Sequence, residues 1–191
     1  MMVLKEDDPD IAELVMQYNY WRKIYAFAGK PPPDEAVWED GRLNFRFGYP
    51  HPDWWAYILE DTVDDNYRVL RASTERSDTP IESSKGIFSR IKDAGKFIIY
   101  GVAESLRIDC RLDPVSWKWD DAGLDSQVVA DIQSDKVVKY VLRRDPSAYF
   151  IMTRGDMRYS HILPITYDEL NAELLEGFPE SVTSRISTGS R

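Results

Sequence analysis

The chain has 191 residues, of which 33 are Asp or Glu and 24 are Lys or Arg, so its formal net charge is −9. This balance argues against binding to nucleic acid or to an anionic membrane surface, since both need an excess of basic side chains. Hydrophobic residues make up 43% of the sequence, which suffices for the core of one domain and argues against bulk disorder. Because Cys110 is the single cysteine, no intrachain disulfide can form. The sequence shows neither a membrane-spanning stretch nor a signal-peptide pattern, so we expect a cytoplasmic protein.

The first part of the chain predicts a helix followed by a β-hairpin. Apolar residues recur at helical spacing over Asp10–Ala28, and Gly29 with the proline run at 31–33 ends that helix. Alternating apolar residues on both sides of Asp40-Gly41 predict a hairpin with a tight turn. Two further strands are predicted over residues 54–60 and 67–72.

The rest of the chain predicts helices that alternate with short strands. Thr166 and Glu169 form a capping-box pattern at the start of the last predicted helix. The predicted bounds are a polar loop at 73–84, a helix at 85–106, strands at 127–132, 137–143 and 149–153, and a helix from 166 to 177. The sequence therefore predicts an α+β fold: a single domain over residues 1–180, with a mostly antiparallel sheet and packed helices, followed by a loose tail over residues 181–191.

Few side chains in this sequence suit catalysis. The two histidines, His51 and His161, lack the spacing of a metal site, and no serine lies in a nucleophile elbow. Cys110 lies in a segment that predicts a strand, so we interpret it as a buried structural thiol. A glycine-rich phosphate loop is also missing from the sequence. We therefore expect neither an enzyme nor a bound cofactor or metal.

Aromatic residues, in contrast, are abundant, with 6 Trp, 11 Tyr and 7 Phe. Such side chains give a binding surface a large contact area at low entropic cost. For the pair Trp117 and Trp119 we expect one ring to face the core and the other to be exposed, although strand alternation would place both rings on one face. Each ring either anchors a partner or packs in the core. The predicted N-terminal helix, with Tyr20 and Lys23, is a second candidate contact surface.

An acidic connection joins the two strands predicted at 54–60 and 67–72. It contains Asp61, Asp64 and Asp65, so it is predicted to be exposed. One interpretation is a solvated loop that protects a sheet edge from aggregation. The other is a charged probe that enters a basic pocket of a partner, which would make these three carboxylates partner-binding residues.

Four segments between Tyr67 and Pro179 carry a resemblance to a known family. They are Tyr67-Arg-Val-Leu-Arg-Ala-Ser-Thr-Glu-Arg76, Phe97-Ile-Ile-Tyr-Gly-Val-Ala-Glu-Ser-Leu-Arg107, Val138-Lys-Tyr-Val-Leu-Arg143 and Ser160-His-Ile-Leu-Pro-Ile-Thr-Tyr-Asp-Glu-Leu170. In order and spacing this part of the chain resembles the family of bacterial immunity proteins that includes the antitoxin to the tuberculosis necrotizing toxin, an NAD glycohydrolase.

The resemblance implies a non-enzymatic inhibitor that protects its producer by occupying the active-site cleft of a cognate toxin. An NAD-cleaving toxin must bind a pyrophosphate, so its cleft should be basic and should attract an acidic protein. Two alternatives stay open on the sequence alone. The protein could be an acidic inhibitor of a nuclease toxin, or a ligand-binding protein or enzyme with an aromatic pocket.

Overall fold

The computed structural model of the chain describes residues 4–188. Its first helix, α1 (Pro9–Phe27), begins where the carboxylate of Asp8 accepts a hydrogen bond from the Asp10 amide at 2.8 Å. The helix ends before Gly29, whose φ of 71° is in the left-handed region that favours glycine. The predicted helix over 10–28 is therefore confirmed within one residue at each end.

The next four strands form an antiparallel meander. The turn between the first two strands has Asp40 at φ 53° and Gly41 at φ 75°, which is the left-handed pair that a tight two-residue hairpin requires. The predicted hairpin and the two strands that follow it are confirmed. Their bounds are β1 Val37–Glu39, β2 Arg42–Phe47, β3 Trp55–Asp61 and β4 Tyr67–Ser73.

The boundary between the fifth strand and the second helix was predicted wrongly. Residues 81–84 were expected in a loop and residues 85–90 in a helix, but β5 (Ile81–Phe88) pairs with β4 along its whole length. Helix α2 (Ile91–Asp109) starts only after this strand. The exposed half of β5 is polar and carries no alternating apolar pattern, so its strand state depends on the hydrogen bonds that β4 offers.

Two other local predictions were also wrong. The segment around Trp117 and Trp119 is not a strand but helix α3 (Val115–Ala122). A carboxylate oxygen of Glu104, on α2, accepts a hydrogen bond from the Val115 amide at 2.6 Å and so caps α3 from another helix. Cys110 lies directly after α2 rather than in a strand; it is half-buried, and burial raises the pKa of its thiol.

The C-terminal half completes the sheet and adds the last helices. Thr166 and Glu169 form the predicted capping box in the structure. The segment predicted as a loose tail is instead helical up to residue 188, because Val182 is buried and anchors it; residues 189–191 lie outside the described part of the chain. The bounds are β6 Val128–Ile132, β7 Val137–Leu142, β8 Tyr149–Thr153, a 3-10 helix Met157–Ile162, α4 Tyr167–Leu175 and α5 Glu180–Thr188.

All eight strands belong to one antiparallel sheet in the order β1-β2-β3-β4-β5-β8-β7-β6. The two halves of the sheet join through the pairs Ile87 with Ile151 and Phe88 with Phe150, and the Ser89 amide donates to the Tyr149 carbonyl at 3.0 Å beside them. Together with the helices this confirms the predicted α+β fold. None of the helices within residues 4–188 combines the length and apolar character needed to cross a membrane.

The helices cover one face of the sheet and form the main core with it. On that face Tyr18 of α1 packs edge-on against Phe45 of β2, with ring centroids 4.7 Å apart. The opposite face of β3 and β4 holds a small apolar cluster of Ala56, Ile58, Leu70 and Ala72. Long basic side chains accompany this cluster; Arg42, for example, pairs with Glu60 at 2.9 Å and with Glu82 at 2.8 Å.

Candidate binding surface

Carboxylates from two distant segments meet at one end of the sheet. The start of α1 brings Asp8 and Asp10 close to the β3–β4 turn, which carries Asp61 and Asp65. The phenol of Tyr67, which is buried on β4, is within electrostatic reach of all four. We call these four carboxylates, together with Asp64 on the same turn, the acidic patch.

The negative charge of the patch contributes to raised pKa values of two groups within it. The pKa of the Tyr67 phenol is raised, first by burial and then by the four surrounding carboxylates, beginning with Asp8. The pKa of Asp10 is raised as well, first by burial and then by Asp8, while Lys92 opposes this shift. Lys92 also pairs with Glu13 at 3.4 Å, and it is the basic residue that partly offsets this field.

The β3–β4 turn holds its carboxylates in a defined backbone frame. The Thr62 amide donates to the Asn66 carbonyl at 2.8 Å, and the side-chain amide of Asn66 donates to the Asp64 carbonyl at 3.0 Å. Tyr149 on β8 donates to the Asn66 side chain at 2.8 Å and ties the turn to the second half of the sheet. At the tip, Val63 is 85% exposed beside the exposed side chains of Asp64 and Asp65. The turn therefore presents an apolar tip flanked by negative charge.

Helix α1 has apolar residues on two sides. One stripe, which includes Leu14, Tyr18 and Trp21, is buried in the core. Residues on the outer side recur at the same helical spacing, and Met16 among them is 59% exposed. These outer residues are Ala12, Val15, Met16, Asn19, Tyr20 and Lys23.

An open groove of about 710 Å³ runs along this outer side of α1. Its opposite wall is formed by Ala36, Trp38 and Leu43, from the hairpin β1–β2 and the segment before it. Glu6 lines the end of the groove, two residues before the first carboxylate of the acidic patch. We call this depression the α1 groove. The patch and the groove are adjacent because the same helix begins in one and lines the other.

The structure places the predicted contact residues in three locations. Asp64 and Asp65 lie exposed on the β3–β4 turn, as the sequence predicts, whereas Asp61 is the last residue of β3 and is half-buried. Tyr20 and Lys23 both line the α1 groove, where Tyr20 is half-buried and Lys23 is exposed. The two tryptophans of α3 lie on a different helix, and they do not share a face.

Trp119 cannot be a surface anchor, because its side chain is 2% exposed. Its ring stacks on Tyr100 at 4.9 Å and on His161 at 5.8 Å, and its indole N–H donates to Glu173 at 3.2 Å. Trp117 is 60% exposed. Residues two apart on a helix point to nearly opposite sides, so the helical state of this segment separates two rings that a strand would have aligned. Trp117 stays a candidate contact residue.

Helix α2 contains buried charged groups that sequence reasoning missed. Lys96 pairs with Asp93 at 2.8 Å and donates to the carbonyls of Ile162 at 2.7 Å and Ile165 at 2.8 Å. Burial lowers the pKa of Lys96, and Asp93 partly offsets this shift. The ammonium group therefore secures the connection between the 3-10 helix and α4.

Two further charges of α2 have comparable structural roles. Arg107 donates to the carbonyls of Leu174 and Glu176, both at 2.7 Å, and so caps the end of α4. Burial raises the pKa of Glu104, whose hydrogen bond from the Val115 amide opposes the shift. Perturbed groups often mark active sites, but these ones are engaged with helix ends and loop carbonyls. Among residues 4–188, no cluster of three or more His, Cys, Asp or Glu side chains has the arrangement of a metal site.

Comparison with known proteins adds one finding on the fold. No family model matches the chain, and no curated protein matches it in sequence. The solved structure of Rv3902c from M. tuberculosis is similar, with a TM-score of 0.59 over 92% of this chain and 93% of that chain. The two sequences are 11% identical, so the likeness concerns the fold.

Proposed function

We propose that this protein is an immunity protein that binds a cognate toxin and blocks its active-site cleft, and that the toxin is an NAD glycohydrolase. The observation that carries the proposal is the meeting of the α1 start and the β3–β4 turn, which gathers five carboxylates beside an apolar groove. The family resemblance of the sequence supplies the class of toxin.

The two parts of this surface suit two parts of the binding process. The acidic patch steers the protein towards a basic cleft, and such steering accelerates association roughly 10- to 1000-fold at low salt. The α1 groove, with the exposed side chain of Met16 and the ring of Tyr20, offers the apolar contact that holds the complex. A stable interface buries about 800 Å² on each partner, so both parts are needed.

The β3–β4 turn is the element that fits a dinucleotide cleft. Its tip combines the exposed Val63 with the carboxylates of Asp64 and Asp65. Carboxylates can occupy the positions at which the toxin would bind the pyrophosphate of NAD, and the apolar tip can fill the space beside them. Inhibition should then be competitive with NAD.

The first experiment is co-purification of the protein with the toxin encoded beside its gene, followed by an NAD-hydrolysis assay with and without the protein. We expect a stable complex and loss of NAD cleavage. If the neighbouring protein cleaves nucleic acid instead and is inhibited, the nuclease alternative holds. Full toxin activity in the presence of excess protein would refute the immunity function itself.

A charge-matched pair of variants tests the proposed surface. In the first variant Asp61, Asp64 and Asp65 are changed to Asn, which keeps the left-handed backbone of Asp65 (φ 55°) acceptable. In the control the same three-charge change is made at the exposed residues Asp78, Asp113 and Asp121. We expect the association rate to fall, with a weaker salt dependence, for the turn variant alone. Equal effects of both variants would show that only net charge matters.

A further inference from the structure

The free edge of the sheet at β6 has an unusual composition for an edge strand. In the β6–β7 ladder, the Gln133 amide donates to the Val137 carbonyl at 3.0 Å and the Arg143 amide donates to the Gln127 carbonyl at 2.8 Å. Because hydrogen-bonded residues alternate along an antiparallel strand, Val129 and Asp131 also bond towards β7. The backbone groups of Ala130 and Ile132 therefore point outwards, away from the sheet.

This edge has little of the usual protection against pairing. Natural edge strands are blunted by shortness, charged side chains (lysine above all), proline or a bulge, and the one charge on β6 is Asp131. Strand β6 has five residues in regular register, contains neither Pro nor Lys, and exposes Val129 (40%) and Ile132 (61%). The opposite edge, β1, has only three residues, and the free part of β5 carries Glu82 and Lys85.

We infer that β6 is a self-association edge, on which a second copy of this chain adds its own β6 in antiparallel orientation. A two-fold axis at Ala130 brings the outward amide and carbonyl of Ala130 in one copy opposite those of the other. Two backbone hydrogen bonds result, from the Ala130 amide of each copy to the Ala130 carbonyl of the other. Val128, which would lie opposite Ile132, is fully buried and takes no part.

Charge favours a second copy over the basic partner proposed above. Across the axis Asp131 stands opposite Val129, so no like charges face each other directly. Residues 127–144, which include the whole β6–β7 hairpin, carry four basic and two acidic side chains, although the chain as a whole is strongly acidic. A basic protein would not be drawn to this region, whereas two copies can approach here without net repulsion between acidic surfaces.

Sedimentation velocity of the full chain tests this edge. Since one strand pair is smaller than a standard interface, we expect a monomer–dimer equilibrium between about 10 µM and about 1 mM. Ala130→Pro removes the central outward amide, and Ile132→Lys adds a charge to the edge; both should remain monomeric over this range. The control is Ile108→Lys on α2, where the parent side chain is also 61% exposed; it should dimerise like the wild type.

Amide hydrogen exchange gives a second measurement. At low concentration the amides of Val129 and Asp131 should exchange slowly and those of Ala130 and Ile132 quickly. At high concentration the amide of Ala130 should become protected. A wild-type protein that stays monomeric throughout, or an Ile132→Lys variant that dimerises like the wild type, would overturn the inference. Loss of the dimer in Ile108→Lys would do so as well. These outcomes are independent of toxin binding, so they leave the proposed function untouched.

Discussion

Two tryptophans of α3 allow the same substitution to be tested in two environments. Trp119→Ala removes a ring that is 2% exposed and stacked between Tyr100 and His161, whereas Trp117→Ala removes one that is 60% exposed. Truncation of a buried tryptophan costs about 3–5 kcal/mol. An exposed substitution usually changes stability by less than about 0.5 kcal/mol. Since domains of this size are stable by about 5–15 kcal/mol, Trp119→Ala removes a large part of the total.

Urea denaturation followed by circular dichroism measures the difference. With a slope of about 2 kcal/mol per M, the loss at Trp119 lowers the midpoint by roughly 1.5–2.5 M, and the change at Trp117 leaves it almost unmoved. Glu173, which accepts the indole N–H, keeps an ion pair with Lys118 at 2.8 Å, so no uncompensated carboxylate adds to the cost. Similar midpoints for the two variants would refute the assignment of Trp119 to the core and Trp117 to the surface.

Three further predictions concern packing, charge and pH. Gly101→Ala places a methyl group against the phenol of Tyr57, so we expect a loss of about 1–3 kcal/mol in urea denaturation, which Tyr57→Phe should partly relieve. Asp10→Asn should raise Tm in calorimetry at pH 7 and slow association with the toxin. Because the pKa of Asp10 is raised in the folded state, ionisation of this carboxyl lowers the free energy of unfolding. The decrease begins above the unfolded pKa of 3.8 and is complete above the folded pKa. At high pH, burial holds the pKa of nine tyrosines above the ordinary value of 10, that of Tyr159 at about 12, so stability is lost as the unfolded chain releases these protons above pH 10. Tyrosinate absorbance should therefore appear together with unfolding; gradual ionisation near pH 10 without unfolding would contradict this. The nine are Tyr18, Tyr20, Tyr25, Tyr57, Tyr67, Tyr100, Tyr140, Tyr159 and Tyr167.

Elements with their own start and stop signals were predictable from the sequence. Helix α1 has a capping aspartate and a glycine stop, the β1–β2 hairpin has its Asp-Gly turn, and α4 has a capping box. Elements whose ends depend on distant partners were not predictable. The cap of α3 comes from Glu104, and the exposed half of β5 owes its strand state to β4. Local patterns carry no information about such partners.

The residues of the candidate surface also differ in how far the sequence predicts them. The carboxylates of the β3–β4 turn are neighbours in sequence, so their clustering was visible in advance. The contribution of Asp8 and Asp10 was not, because it requires the start of α1 to pack beside Tyr67. The outer stripe of α1 could have been found, since its residues recur at helical spacing on the side opposite the core stripe. The expected division of the two tryptophans of α3, one in the core and one exposed, is confirmed, but only the helical state of this segment shows which ring is which.

The acidic patch is costly for the fold, and this cost bears on its role. A loop that only needs to be soluble can spread its carboxylates in water, where each keeps its ordinary pKa. Here two segments that are far apart in sequence bring carboxylates near a buried phenol, and the pKa values of Asp10 and Tyr67 are raised, first by burial and then by these neighbouring charges. Like-charge clusters that reduce stability are typical of surfaces shaped by binding, because a basic partner relieves the repulsion when it docks. If the proposed function holds, relief of this repulsion would add to the affinity for a basic cleft and give nothing to a neutral one, so the arrangement that weakens the free protein would contribute to its selectivity.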